Sequence, residues 1–168
     1  ITGTTFGLNA WALKGAYSLP FPLPSQDPFG TVGRAGILLN DVSLTIGDDA
    51  QPENTFFNIN YGIEIHNSNV DVFNCKFRDI VFDQFYYPTK PYIAGAAIFA
   101  VASEPSYDLN VFPLVGAANQ TIVNAPIGVY NERYNTLVSR LNMDQVYKGV
   151  WSERNELCAV QVRDCNIN

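Results

Sequence analysis

The stretch Tyr61-Gly-Ile-Glu-Ile-His-Asn-Ser-Asn-Val-Asp-Val-Phe-Asn-Cys-Lys-Phe-Arg-Asp-Ile80 can be laid on Lys148-Gly-Val-Trp-Ser-Glu-Arg-Asn-Glu-Leu-Cys-Ala-Val-Gln-Val-Arg-Asp-Cys-Asn-Ile167. Both read Gly-apolar, a polar turn, Val-x-Val, then x-x-Cys-x-apolar. A looser third copy runs from Gly128-Val129 through Leu137, Leu141 and Met143 to Val146, and a fourth opens at Gly36-Ile37 with Val42, Leu44 and Ile46 behind it. The glycines at 36, 62, 95, 128 and 149 are spaced 26, 33, 33 and 21. Such spacing reads as one short repeat with loops inserted into some copies.

Each copy is two or three short strands around a corner, with one apolar face too small to be a core alone. Stacking copy on copy buries those faces continuously and pairs each strand with its counterpart about 4.8 Å away. Within 61–80, alternation points Val70, Val72, Cys75 and Phe77 inward and Asp71, Lys76 and Arg78 toward solvent. Asn74 then sits at a corner, where its side chain tolerates unusual backbone angles. The expected fold is all-β, a right-handed parallel β-helix with little helix and inserted loops. Its hand rests on the general preference for right-handed crossovers between parallel strands. The competing antiparallel sandwich would need Asn-Gly or Asp-Gly hairpin turns, and neither dipeptide occurs. The longest helical candidate, Glu132 to Val146, has its apolar residues close to alternation and carries Asn135 and Asn142 inside it.

The motif Asn67-Ser-Asn-Val-Asp-Val-Phe-Asn-Cys-Lys-Phe77, with its echo Ala159-Val-Gln-Val-Arg-Asp-Cys-Asn-Ile167, resembles the coils of right-handed parallel β-helix proteins, the pectin-lyase-like group. The resemblance covers roughly residues 36–168 and is unspecific for function. It implies a place among polysaccharide lyases, glycoside hydrolases, phage tailspikes, autotransported adhesins and bacterial surface proteins.

The 168 residues fit one domain with a real core. Hydrophobic residues make up 47% and charged ones 15%, which excludes a disordered tail or a coiled coil. A net charge of −6, without a basic stripe, argues against nucleic acid as a partner. No apolar run is long enough for a membrane-spanning helix, and the first residues lack a signal-peptide layout. Residues 1–35, with Pro20, Pro22, Pro24 and Pro28, read as a proline-rich loop or cover, and 36–168 as the coils. The start at Ile1 and the stop at Asn168 directly after Ile167 fit a segment of a longer protein. An uncovered end would invite further coils or self-association.

Several residue groups could carry chemistry. Asp48 and Asp49 form a carboxylate pair in Ile46-Gly-Asp-Asp-Ala50, suited to acid–base work, cation binding or simply a turn. The Gly-Asp-Asp triplet looks like one polygalacturonase motif, but that family's Asn-Thr-Asp, Gly-His-Gly and Arg-Ile-Lys are missing. Glu64 and His66 share one face of a strand opposite Ile63 and Ile65, and are expected as an exposed outward pair. As the single histidine, His66 excludes multi-His zinc sites. Arg78, Arg140 and Arg163 sit near corresponding places in three copies, interspersed with Lys76, Asp71, Asp79, Asp144 and Asp164. A solvated charged face is the expectation there, with a lyase base as the sharper reading. Cys75 and Cys165 share a repeat position, Cys158 does not, and the first two are expected as small buried core residues with no bridge between them.

The aromatic run Phe82-Asp-Gln-Phe-Tyr-Tyr-Pro-Thr-Lys-Pro-Tyr92 is the best candidate for a projecting loop. Tyr86, Tyr87 and Tyr92 would stack on a ligand, with Asp83, Gln84 and Lys90 as hydrogen-bond partners. Ser103-Glu-Pro-Ser-Tyr-Asp-Leu-Asn-Val-Phe-Pro113 is expected as a second insertion beside it. The leading expectation is a non-catalytic extracellular or cell-surface module, a stalk or a surface for polysaccharide or protein. It needs no cofactor, though calcium would suit its oxygen ligands. The rivals are a lyase or hydrolase on an acidic polysaccharide, using Asp48, Asp49, His66 or Arg78, and a structural segment of a fibre.

Overall fold

The computed structural model describes residues 5–7, 33–47, 53–81, 95–113 and 119–168. Every regular element among them is a strand, so the helix content expected to be low is absent there. In chain order these are β1 (Thr5–Gly7), β2 (Gly33–Asn40), β3 (Ser43–Ile46), β4 (Asn54–Phe57), β5 (Ile59–His66), β6 (Asn69–Val72) and β7 (Cys75–Arg78). They continue as β8 (Ala96–Val101), β9 (Tyr107–Val111), β10 (Gln120–Glu132), β11 (Tyr134–Ser139), β12 (Leu141–Glu153), β13 (Val160–Arg163) and β14 (Asn166–Ile167). No helix among the described residues is long and apolar enough to cross a membrane.

All described pairings are parallel, which leaves no place for the antiparallel sandwich. Five strands, β3, β6, β9, β11 and β13, form sheet B, and the other nine form sheet A. Sheet A has two arms. One runs β1, β4, β7 and the first part of β10, the other β2, β5, β8 and the last part of β10. Both long strands bend where they pass between arms, at Asn124 (φ 54°) in β10 and Gln145 (φ 55°) in β12. Among the described residues, seven of the eleven non-glycine positions with positive φ are Asn or Asp, the side chains that best tolerate that region. Asn58, Asn67, Asn74 and Asn124 are thus corners, while Asn135 and Asn142 lie inside strands.

Equivalent positions stack in columns. On sheet B, Leu44 lies beside Val70, Val70 beside Leu109, Leu109 beside Thr136 and Thr136 beside Val160. On the first arm of sheet A, Phe56, Phe77, Ile122, Met143 and Ile167 form another such column. The Phe56 and Phe77 rings stack at 4.8 Å, and both are fully buried. Val70, Val72 and Cys75 are buried with them, as alternation requires. Each fully buried Ile or Phe contributes on the order of 1.5–3 kcal/mol, so no single repeat could hold itself together.

Three expectations change. The register sets Tyr61 on Ala96 and Ile63 on Ile98, so Ala97, and not Gly95, stands between Gly62 and Gly128 in the small-residue column. Gly95 lies two residues earlier as a turn glycine at φ 79°. Arg78 lies in the column of Phe57 and Val123, whereas Arg140 and Arg163 belong to the sheet B side, where Arg163 pairs with Ser139. The three arginines therefore do not share one place in the repeat, because the corners fall differently around them. The segment Ser103–Pro113 is no simple insertion, because Tyr107–Val111 is the central strand of sheet B.

The small-residue column leaves no room for a side chain at Gly62. A Cβ added at Gly62 would lie 2.4 Å from the Ala97 carbonyl oxygen and 2.5 Å from the Phe77 ring. We predict that Gly62→Ala lowers stability by about 1–3 kcal/mol. A urea titration should show a lower midpoint at unchanged slope, and a wild-type midpoint would contradict this packing.

Candidate functional site

On β5, Ile63 and Ile65 enter the core, so Glu64 and His66 project from the opposite side of the sheet. The register carries this outer side across the second arm. Glu64 adjoins Phe99, Phe99 adjoins Tyr130, and Tyr130 adjoins Trp151. Phe99 packs on Tyr61 at 4.7 Å and stacks on Tyr130 at 5.1 Å, and the Trp151 ring meets Tyr130 edge-on at 5.7 Å. The Lys148 ammonium lies 3.0 Å from the Trp151 ring centroid. Tyr61, Phe99 and Tyr130, with Ala96 and Ile127, form a second buried cluster separate from the core, and half-buried Trp151 packs against it.

Glu64 is therefore fully buried, and the expectation of an exposed pair is corrected for it; only His66 retains partial exposure. His66 Nε2 and Glu64 Oε1 are 2.8 Å apart. The next column holds His66, Val101, Glu132 and Glu153. There the Tyr130 hydroxyl lies 3.3 Å from Glu132 Oε2 and 3.2 Å from Glu153 Oε2. Arg154 donates to Glu132 Oε1 at 3.0 Å. Burial, and then the Glu132 and Glu153 carboxylates, hold the Tyr130 proton well above the usual phenol range. The phenol stays a donor and cannot serve as a base. With Glu132 only 5% exposed, the arrangement is a clamp on a corner more than an accessible acid–base pair. Asn155 continues it, donating to Asn131 and accepting from the Tyr134 backbone N–H.

Sequence reasoning missed these residues, although a signal is present. Gly128-Val-Tyr-Asn-Glu-Arg133 and Gly149-Val-Trp-Ser-Glu-Arg154 share the pattern Gly-Val-aromatic-polar-Glu-Arg, and the register lays one on the other.

The outer side of sheet B offers the open surface. A shallow depression of about 410 Å³ is lined by Ser43, Leu44, Thr45, Asn69, Val70, Asp71, Asp108 and Asn110. Its polar residues are the outward alternates of Ser43-Leu-Thr-Ile46, Asn69-Val-Asp-Val72 and Asp108-Leu-Asn-Val111, three phrases of one polar-apolar pattern. Asn110 Nδ2 donates to Asp71 Oδ1 at 2.8 Å, Asn135 Nδ2 donates to Asp108 Oδ1 at 3.1 Å, and the Asp108 N–H donates to Asn69 Oδ1 at 2.9 Å. These bonds tie neighbouring strands and fix the amide orientations. On β11 the polar pattern continues at Asn135, beside Asp108, and is interrupted at Leu137, beside Asn110.

Asp48, Asp49, Asp83, Gln84, Tyr86, Tyr87, Lys90 and Tyr92 lie outside the described residues. Arg78 is exposed, 4.8 Å over the Phe57 ring and 3.9 Å from Asp79. It is brought together with neither His66 nor the depression. No group of three His, Cys, Asp or Glu side chains among the described residues is arranged to hold a metal ion.

The cysteines are free. Gln120 and Leu141 stand between Cys75 and Cys165 in one column, so no bridge can form between them. Burial pushes the Cys75 thiol up to about 12, against a smaller opposite pull from the Asn54 amide.

Compared with protein-family models, curated proteins and solved structures, the chain matches none.

Two outcomes follow from this geometry. Arg154→Ala leaves the buried Glu132 carboxylate without its guanidinium and should cost about 1–3 kcal/mol in thermal or urea unfolding; an unchanged stability would remove the clamp. Iodoacetamide at mildly alkaline pH should label Cys165 in the folded protein and spare Cys75 until it unfolds. The Cys75 thiol, raised above its ordinary 9.0, favours the folded state below pH 9, and that stability is lost as pH climbs toward 12.

Proposed function

We propose that this chain is a right-handed parallel β-helix module of a secreted or surface protein. Along the outer side of sheet B it binds an extended, hydroxyl-rich polymer without transforming it. The parallel register, returning to each sheet after 21 to 50 residues, supports the helical winding. The general preference for right-handed crossovers supports its hand.

The observation that carries the binding reading is the depression across β3, β6 and β9. Its surface mixes Ser and Thr hydroxyls, Asn amides and Asp carboxylates, that is, donors and acceptors in alternation. Sugar hydroxyls both donate and accept, so they match such a surface. A shallow, open shape suits a chain laid across strands better than a small molecule, which would seek an enclosed apolar pocket. Rigid strands and interstrand amide bonds hold the groups in place before the ligand arrives, which lowers the ordering cost of binding.

The test is electrophoresis of the folded chain through gels cast with plant, algal and bacterial polysaccharides. At least one polymer should retard the wild type, and Asn69→Ala or Asn110→Ala should weaken that retardation severalfold. Asn69 is exposed and should leave the melting temperature unchanged, while Asn110, half-buried with one bond to Asp71, should lower it by no more than a few degrees. Retardation that survives both substitutions would move the site elsewhere. Release of reducing ends or unsaturated uronates would replace the binding module with an enzyme.

A further inference from the structure

We infer that the sheet B depression selects its polymer by charge, admitting neutral and amine-bearing glycans and rejecting polyuronates; this rests on the binding reading above and sharpens it. Two carboxylates, Asp71 and Asp108, line the depression, and no Lys or Arg does. They stand on the neighbouring strands β6 and β9. Each has one oxygen, Oδ1, engaged by an amide from the next strand. The ion pairs among the described residues include neither of them. Their negative charge is therefore presented to whatever lies across the sheet.

A uronate chain would set its own carboxylates against these two without a cation between them, and like charges at contact distance repel even in water. An uncharged sugar meets only hydrogen-bonding groups, and an ammonium gains a charge-assisted bond. The wider field points the same way, because the chain carries −6 overall and repels polyanions at a distance. The arginine on sheet B, Arg163, lies on β13 beyond the outward Leu137 of β11, and its guanidinium donates to Gln161. It is outside the polar stretch.

The test titrates the full chain with a neutral β-glucan, a polygalacturonate, a partly deacetylated amino-sugar polymer and an oligolysine peptide, at low and high salt. The expected order is amine polymer, then β-glucan, then polygalacturonate, the last weaker than the β-glucan by at least about fivefold. Salt and the double variant Asp71→Asn, Asp108→Asn should both compress these differences. Polygalacturonate binding as tightly as β-glucan, in a manner lost in Asn69→Ala, overturns the charge selection and leaves the groove. Discrimination that persists in the double variant overturns the assignment to these carboxylates. Oligolysine binding with no glycan binding overturns the inference in favour of a basic peptide. Binding of none of the four overturns the groove itself and the inference with it.

Discussion

Everything in this fold depends on parallel pairing of each strand with its own counterpart in the next repeat. That constraint puts like residues in columns, and a column has a fixed spacing of about 4.8 Å whatever occupies it. Rings at that spacing stack, as Phe56 does on Phe77. Where a neighbouring column leans over, only hydrogen or methyl fits, and the positions of Gly62, Ala97, Gly128 and Gly149 follow from this. The corners obey the same rule. A chain that must turn at matching heights needs left-handed backbone there, and Asn and Asp supply most of it.

Columns explain what could be read from the sequence and what could not. The repeat phrases around Val70-Asp-Val72 and Val160-Gln-Val162 name strands that do lie in one sheet, and Cys75 and Cys165 do share a column. Parallel all-β structure was legible because alternation and corner residues are local. Register was less so. Inserted residues between β7 and β8 shift the count, so spacing alone chose Gly95 where the ladder chose Ala97. Arg78 parts from Arg163 for a related reason: order along the chain does not say on which side of a corner an arginine falls.

Burial of the outer side of sheet A was not legible either. Period-two alternation divides a strand into two sides and cannot say which is wet. Glu64, Phe99 and Tyr130 occupy outward positions and are all fully buried. Their companions Glu132 and Arg154 lie in the repeated Glu-Arg phrase, which a comparison of the 128–133 and 149–154 hexapeptides would have found. On sheet B the outward positions of β3, β6 and β9 are polar in the ordinary way, and there the alternation is sufficient to name every polar group of the depression.

The two outer surfaces thus differ in what they leave accessible. A buried carboxylate held by a guanidinium and a phenol keeps a corner shut and has little freedom to meet a substrate. Open carboxylates and amides on a flat sheet cost little to present and are already oriented by their interstrand bonds. The polar depression lies across β3, β6 and β9, and its middle strand, β6, has a partner on each side. A binding surface gains most from rigidity where the backbone is held from both sides, and that is where Asn69 and Asp71 stand.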